Sequence, residues 1–150
     1  MNNIKIKLFG IDAPDPSQTC SNHRGMGYDC GQEAIIWLQN WLGKREVRCR
    51  ILSKVERGWA TGVCFTDNNQ YDIAAVVVNA GWAVAYTRNT KIYVPYEQQA
   101  MNAHRGLWGG VFYKPWDWRK MQNRKVEIKI TPSKSSSGKS GKKFNFWGLF

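Results

Sequence analysis

Two carboxylates lie three positions apart at the end of a predicted strand. In IKLFGIDAPD, residues 6–15, Asp12 and Asp15 follow apolar residues that alternate with lysines, the two-residue period of a half-buried strand. Lys7 lies on the polar face of this strand, so one cation comes close to two anions. Carboxylates can position water or hold a divalent metal ion, and a cation can stabilise developing negative charge. The alternative is a solvated turn, shaped by Pro14, in which Asp12 hydrogen-bonds its own backbone.

The rest of the chain predicts the elements that must position these side chains. Apolar periodicity, caps and turn residues indicate the order strand, helix, strand, strand, helix, strand, helix. The helices are predicted from Cys30 to Gly43, from an N-cap at Asp72, and from Pro95 to Gly106; the strands are predicted at residues 4–11, 46–53, 58–66 and 82–86. A few antiparallel strands with segregated helices are typical of an α+β domain, and a small oligonucleotide-binding barrel is compatible with this order.

Composition and charge divide the chain in two. Its 150 residues, 43% of them hydrophobic and eight of them Trp, suit one domain with a real core. The formal net charge of +11 is uneven, because residues 119–143 hold nine Lys or Arg against one acid, whereas residues 1–118 hold thirteen against ten. We therefore expect a domain at residues 1–118 and a flexible basic tail at residues 119–150. Such a tail either is a solvated extension or binds the phosphates of a polyanion.

Four cysteines allow three disulfide pairings. Local pairing, Cys20 with Cys30 and Cys49 with Cys64, is the simplest, since the second pair falls on two predicted strands joined by a short turn. A zinc site is the alternative, but the sequence has no short CxxC-type pair. Paired cysteines favour an exported protein, although the first residues show no signal-peptide pattern and no apolar run approaches the ~20 residues that span a bilayer.

Five segments, in order and spacing, resemble the staphylococcal nuclease-like (thermonuclease-like) domain. They are KLFGIDAPD, GQEA, ERGWATGVCF, DIAAVVVNAGWAVAY and AMNAHRGLW, and the resemblance covers roughly residues 4–118. The paired cysteines and the ending PWDWR are most similar to a bacterial branch of that family. The resemblance implies an oligonucleotide-binding barrel with three helices, and calcium-dependent hydrolysis of DNA and RNA phosphodiesters.

The resemblance also implies roles for the residues of the opening segment. A cation that contacts the phosphate corresponds to Lys7, a calcium ligand to Asp12, and the carboxylate that activates water to Asp15. Two of these positions are altered relative to the family, which has Arg and Glu there. Lysine offers a point charge instead of a planar fork, and aspartate is one methylene shorter than glutamate. Since a displacement of about an ångström can cost on the order of a hundredfold in rate, we expect weak hydrolysis.

The predicted hairpin carries a further departure. The family's second catalytic arginine aligns with Trp59, so Arg57, two residues earlier and on the same face of an extended arm, is the candidate to replace it. The alternative is that Arg57 is an exposed turn residue. Tyr86 matches a family tyrosine that stacks on a base, and we expect Tyr86 and Lys7 to contact nucleic acid.

The family has two more strands before this segment, one of which carries a calcium-binding aspartate. We expect the barrel to lack these strands and the remaining calcium ligand to lie upstream of Met1 or to be absent, in a truncated copy or in a longer chain with an earlier start. The predicted function is a weak nuclease acting on DNA or RNA, mainly single-stranded; the alternative is an inactive domain that binds nucleic acid or protein. We expect a monomer, and the apolar end FNFWGLF either contacts a protein or frays.

Overall fold

A computed structural model describes the backbone of residues 3–127 and the side chains up to Arg124. Within this part of the chain, eight strands and four α-helices follow one another with a 3₁₀ helix before the last. The strands are β1 Lys5–Leu8, β2 Ile11–Asp12, β3 Cys20–Ser21, β4 Gly27–Tyr28, β5 Val47–Ile51, β6 Trp59–Thr66, β7 Tyr71–Asp72 and β8 Val84–Ala85. The helices are α1 Cys30–Leu42, α2 Ile73–Asn79, α3 Val94–Asn102, the 3₁₀ helix Gly106–Gly109 and α4 Pro115–Glu127.

Strand β6 is the centre of the main sheet. It pairs with β1 in parallel and with β5 in antiparallel orientation, and β7 pairs with its last residues. Buried and more exposed residues alternate along β6, as the sequence predicts for a half-buried strand. The strands β2 and β8, and β3 and β4, form two separate antiparallel pairs. The sheet therefore has β1 at one edge and β5 at the other.

The core lies where α1 and α2 meet the sheet. The predicted stripe of α1 is confirmed in part: Ala34, Leu38 and Leu42 are buried, and the two tryptophans of this helix pack partly against the core. Asp72 caps α2 as predicted, because its carboxylate accepts hydrogen bonds from the backbone of Ala74 and Ala75. The remaining core residues include Leu8, Ile11, Ile73, Val77, Val78, Ala83 and Tyr93.

Both local disulfides are present. Cys20 bonds Cys30, with 5.6 Å between their Cα atoms, and Cys49 bonds Cys64, with 4.0 Å between theirs. Cys49 and Cys64 are register partners of β5 and β6, which explains their close approach. The first bridge joins β3 to the start of α1. Two disulfides are consistent with an oxidising, extracytoplasmic environment. Among the helices that the structure describes, none has both the length and the apolar character needed to cross a bilayer.

The α+β class is confirmed, but two finer expectations are not. The described strands form an open sheet and two strand pairs, and closure into a barrel is not seen among them. The prediction of three helices is wrong, because α4 is a fourth. Its sequence, PWDWRKMQNRKVE, is mostly polar and basic, so the composition resembled a solvated tail. The helix crosses the predicted domain boundary at residue 118, while the rest of the predicted tail, residues 128–150, lies outside the described residues.

A glycine in the first turn of α1 lets the segment that carries Asp15 lie against the helix. A Cβ atom on Gly31 would lie 1.8 Å from the carbonyl oxygen of Asp15 and 2.8 Å from Cα of Pro16. Both contacts are to backbone, which cannot move aside as a flexible side chain can. Only glycine therefore allows this packing, and the position of Asp15 depends on it.

We expect Gly31→Ala to destabilise the protein. The added methyl group must push the segment at Asp15 away from α1, and overpacking of this kind costs about 1–3 kcal/mol of unfolding free energy. Thermal or urea unfolding monitored by circular dichroism measures the change. Gly27→Ala is the matched control, since a Cβ atom there meets its nearest heavy atom only at 4.0 Å. Equal stability of the two variants would contradict the expected role of Gly31.

Candidate nucleic-acid site

Asp12 and Lys7 are held by neighbouring strands. Asp12 lies in β2, whose backbone pairs with β8, opposite Val84. Its side chain is largely buried, because the residue is only 8% exposed. Lys7 lies in β1 opposite Thr61 of β6, and its side chain is exposed, as the sequence predicts. The two residues therefore have fixed backbone positions, one carboxylate inside the protein and one ammonium at its surface.

Asp15 lies in a tight turn that Gln18 stabilises. The backbone N–H of Gln18 donates to the carbonyl of Asp15 at 2.8 Å, and the Gln18 side chain accepts from the Asp15 N–H at 3.3 Å. Gln18 is fully buried and its amide also donates to the carbonyl of Tyr113 at 2.9 Å. Since Tyr113 precedes α4, one buried side chain connects the Asp15 turn to the segment that leads into this helix.

Helix α4 brings Arg119 to both carboxylates. Its Nη1 donates to Oδ1 of Asp15 at 2.9 Å and to Oδ1 of Asp12 at 3.2 Å, and its Nη2 donates to Oδ2 of Asp12. The guanidinium side chain is 37% exposed, so the group lies at the rim of the protein while the Asp12 carboxylate lies below it. The three residues form what we call the acidic–arginine triad.

The charge of Arg119 is stabilised within this triad. Burial disfavours the charged guanidinium, but the hydrogen bonds and negative charges of Asp12 and Asp15 outweigh that effect and raise the pKa of Arg119. The guanidinium therefore stays charged in the folded protein.

The triad lines a cavity of about 420 Å³. Lys7 also lines this cavity, so the cavity combines two cations with two carboxylates. The other lining residues are mostly apolar: Ala13, Pro14, Pro16, Ile35 and Trp59. The structure thus brings together Lys7, Asp12 and Asp15, the three residues predicted from the sequence. It adds Arg119, which the sequence-based prediction had placed in the tail.

Arg57 lines an adjoining cleft of about 770 Å³, together with Lys7, Lys54 and Trp59. Glu56 and Trp59 bridge each other across a two-residue hairpin turn whose central residues, Arg57 and Gly58, both have positive φ, 52° and 79°. Arg57 therefore lies in the turn itself and not in an extended arm. The cleft and the cavity share Lys7 and Trp59 as lining residues, so they adjoin each other.

Tyr86 lies outside the lining of both the cavity and the cleft. Its backbone N–H donates to the carbonyl of Gly10, and its ring meets that of Trp116 edge-on, with 5.6 Å between the centroids. One edge of the Tyr86 ring is thus covered by α4. Its predicted contact with a nucleic-acid base stays a prediction.

The described residues do not fit a calcium ion. Calcium takes six to eight oxygen ligands, several of them from carboxylates. The cavity offers the carboxylates of Asp12 and Asp15 alone, and both already accept hydrogen bonds from Arg119. Within the described part of the chain, no group of three His, Cys, Asp or Glu residues is placed to hold a metal ion. The calcium predicted from the family resemblance therefore has no ready ligand set here.

Comparison with known proteins shows which family the chain belongs to. The model of the family described as staphylococcal nuclease homologue matches residues 5–110. The chain belongs to this family. The matched region contains the strand, the turn and the hairpin that line the cavity, but it ends before α4, so Arg119 lies outside the matched region.

The curated relatives that the chain matches extend well beyond the region they share with it. The succinoglycan biosynthesis protein ExoI of Rhizobium meliloti is 30% identical over 106 residues, which are 69% of this chain and 55% of that protein. A probable endonuclease LCL3 of Yarrowia lipolytica is 29% identical over 55% of this chain and 36% of its own length. A probable staphylococcal-like nuclease CAN2 of rice is 27% identical over 79% of this chain and 30% of its own. The chain thus spans about half or less of these relatives.

Two residues of the site escaped the sequence analysis. Arg119 was hidden in a basic segment, although it follows the PWDWR tryptophans that the family resemblance had marked. Gln18 carries no charge and no motif draws attention to it. The signal that could have found Arg119 is physical: a carboxylate at a buried strand end, such as Asp12, requires a counter-charge.

We expect Gln18→Ala to destabilise the domain by about 1–3 kcal/mol, since it removes the hydrogen bond of a buried side chain to the carbonyl of Tyr113 and opens a small cavity. Chemical denaturation measures this loss. Gln39→Ala, at an exposed position of α1, is the control and should stay within about 0.5 kcal/mol of the parent. A loss as small as that of the control would show that the Gln18 bridge is not needed.

Proposed function

We propose that this chain binds single-stranded nucleic acid across the cavity and its adjoining cleft, and that it hydrolyses phosphodiesters only weakly. The observation that carries the proposal is the depression formed by the cavity and the adjoining cleft, whose lining includes Lys7, Lys54, Arg57 and the exposed Trp59. Membership of the staphylococcal nuclease homologue family supports a nucleic acid as the ligand. Backbone phosphates and bases present the anionic and aromatic groups that such a depression recognises.

Trp59 is suited to stack on a base. It is 38% exposed and lies in both walls, and the ammonium of Lys5 lies 5.2 Å from the centre of its ring. Each base stacked on an aromatic side chain contributes about 1–3 kcal/mol, and stacking tolerates any base sequence. Single strands expose their bases for such contacts, whereas duplexes do not. Trp59 thereby takes the binding role, while the guanidinium that the family has at this position is lost.

Arg57 supports the proposal through its conformation. An arginine at the first central position of a hairpin turn with two positive φ angles is unusual, because Asn or Gly adopts this conformation at lower cost. A non-glycine residue held in the left-handed region costs on the order of 1–3 kcal/mol and is frequently associated with function. We infer that Arg57 is kept for its charge in the cleft.

The residues of the cavity can do part of the chemistry of hydrolysis. Lys7 can pair with a phosphate oxygen, and the carboxylate of Asp15, one-third exposed, can orient a water molecule. However, Arg119 occupies lone pairs of both carboxylates, and Trp59 contributes no positive charge to the transition state. The site therefore offers more for binding than for catalysis.

The open sheet supports a finer proposal on the fold. Strands β1 and β5 lie at its two edges, and every residue of β5 is exposed. An oligonucleotide-binding barrel that lacked two strands would leave edges of this kind. We infer that the sheet is the described part of such a barrel. Since disulfides persist in oxidising environments, we also infer that the domain works outside the cytoplasm.

We expect Arg57→Asn to separate stability from binding. Asparagine relieves the left-handed backbone, so unfolding should need about 0.5–1 kcal/mol more free energy, while one phosphate contact is lost. In fluorescence anisotropy with a labelled single-stranded oligonucleotide, affinity should fall and the slope of log affinity against log salt should flatten by about 0.7.

The matched control is Arg24→Asn, which removes the same charge from an exposed loop residue that lines neither the cavity nor the cleft. Its affinity and salt slope should equal those of the parent. If Arg57→Asn also binds like the parent, or if the parent shows no binding at low salt, the proposed ligand is wrong.

We expect the parent protein to cleave single-stranded DNA more than about tenfold more slowly than a staphylococcal nuclease with its full catalytic set, because each missing group lowers transition-state stabilisation by several kcal/mol. A fluorogenic oligonucleotide assay, run with calcium and with a chelator, measures the rate. Asp15→Asn shows whether residual cleavage belongs to this site or to a contaminant. A calcium-dependent rate within tenfold of the reference enzyme would disprove weak hydrolysis.

A further inference from the structure

We propose that the guanidinium of Arg119 takes the place of a divalent cation between Asp12 and Asp15, so that this site binds no metal ion unless Arg119 is displaced. The inference does not depend on the proposed nucleic-acid ligand, because it concerns what neutralises the two carboxylates. Arg119 is then a positioning residue: it holds the carboxylates in one arrangement and supplies the positive charge that a metal ion would otherwise bring.

The hydrogen bonds of Arg119 already occupy the oxygens that a metal ion would need. One guanidinium uses two nitrogens on three carboxylate oxygens, with one nitrogen bridging Asp12 and Asp15. A bridging cation of this kind keeps two like charges side by side, which is also what a metal ion does in a carboxylate site. A metal ion would have to remove the same oxygens from Arg119, and the displaced guanidinium would remain nearby as a repulsive charge.

The burial of Asp12 makes a cation at this site necessary. The Asp12 side chain is only 9% exposed, so its charge loses most of its contact with water and needs a counter-charge inside the protein. Arg119 is the cation that meets this need among the described residues paired with Asp12. Removing Arg119 would therefore leave the buried Asp12 and the partly exposed Asp15 as a negative pair that attracts any other cation.

Helix α4 is held in place by contacts near its start. Pro115 at its start is buried, Trp116 packs against Tyr86, and Lys114 pairs with Glu97 of α3 at 3.8 Å. These contacts hold the helix independently of the triad. Arg119 is therefore delivered to the carboxylates by the fold and competes with a metal ion as an intramolecular group, which has a large advantage in effective concentration.

The test is a titration of the folded full chain with terbium, whose luminescence is excited through a nearby tryptophan such as Trp59, followed by competition with calcium. We expect Arg119→Gln to bind terbium and calcium at least about tenfold more tightly than the parent, since a unit charge next to the ion has been removed. Arg124→Gln, an exposed arginine on the same helix, removes the same charge elsewhere and should bind like the parent. Adding Asp12→Asn to Arg119→Gln should abolish the gain.

The parent protein provides an arm that does not need the variant to fold. Its melting temperature should move by less than about 1 °C between about 10 mM calcium and excess chelator, because a ligand that does not bind the native state cannot stabilise it. A rise of several degrees, or parent binding as tight as that of Arg119→Gln, would overturn the proposal. So would a folded Arg119→Gln variant without any gain. None of these outcomes depends on nucleic-acid binding, so this proposal and the proposed function fail separately.

Discussion

The buried carboxylate of Asp12 is the constraint around which the site is arranged. A carboxylate that has lost most of its hydration is stable only with a counter-charge and with hydrogen bonds to its oxygens. Strand β2 fixes its backbone, and the counter-charge comes from α4, more than one hundred positions further along the chain. The packing of α4 onto the domain thus also meets an electrostatic need that arises near the other end of the described chain.

Several uncharged contacts make that ion pair possible. Gly31 lets the Asp15 segment lie against α1, and the buried amide of Gln18 connects this segment to the residue that leads into α4. The disulfide between Cys20 and Cys30 closes the loop that contains the start of α1. Each contact restricts the backbone, so pairing of the carboxylates with the guanidinium costs little further conformational entropy. The site is pre-organised by packing more than by its own charges.

The same arrangement underlies the proposal that this family fold favours binding over hydrolysis. A guanidinium neutralises two carboxylates as a metal ion does, but it cannot polarise a phosphate oxygen with two positive charges or carry a bound water. Trp59 presents an exposed ring in the cleft that Lys7 and Arg57 also line, and the proposal assigns these side chains to the bases and phosphates of a single strand. In the proposed function, cationic and aromatic side chains stand where a catalytic centre would need a metal ion and a second arginine, and this one cause accounts for both the weak hydrolysis and the binding surface.

Local patterns in the sequence determined the α+β class, the cap at Asp72, the two disulfides and the clustering of Lys7 with Asp12 and Asp15, because each depends on residues close in sequence or on the period of a single element. The fourth helix and Arg119 were decided by tertiary structure, since a polar, basic segment such as α4 becomes a helix of the domain only when Pro115 and Trp116 find partners on distant elements. The turn at Arg57 also needed the structure, because its left-handed backbone belongs to the two-residue turn that the bridge between Glu56 and Trp59 closes. A long-range ion pair leaves no periodic signal along the chain, since its two ends are constrained only by the folded backbone that brings them together.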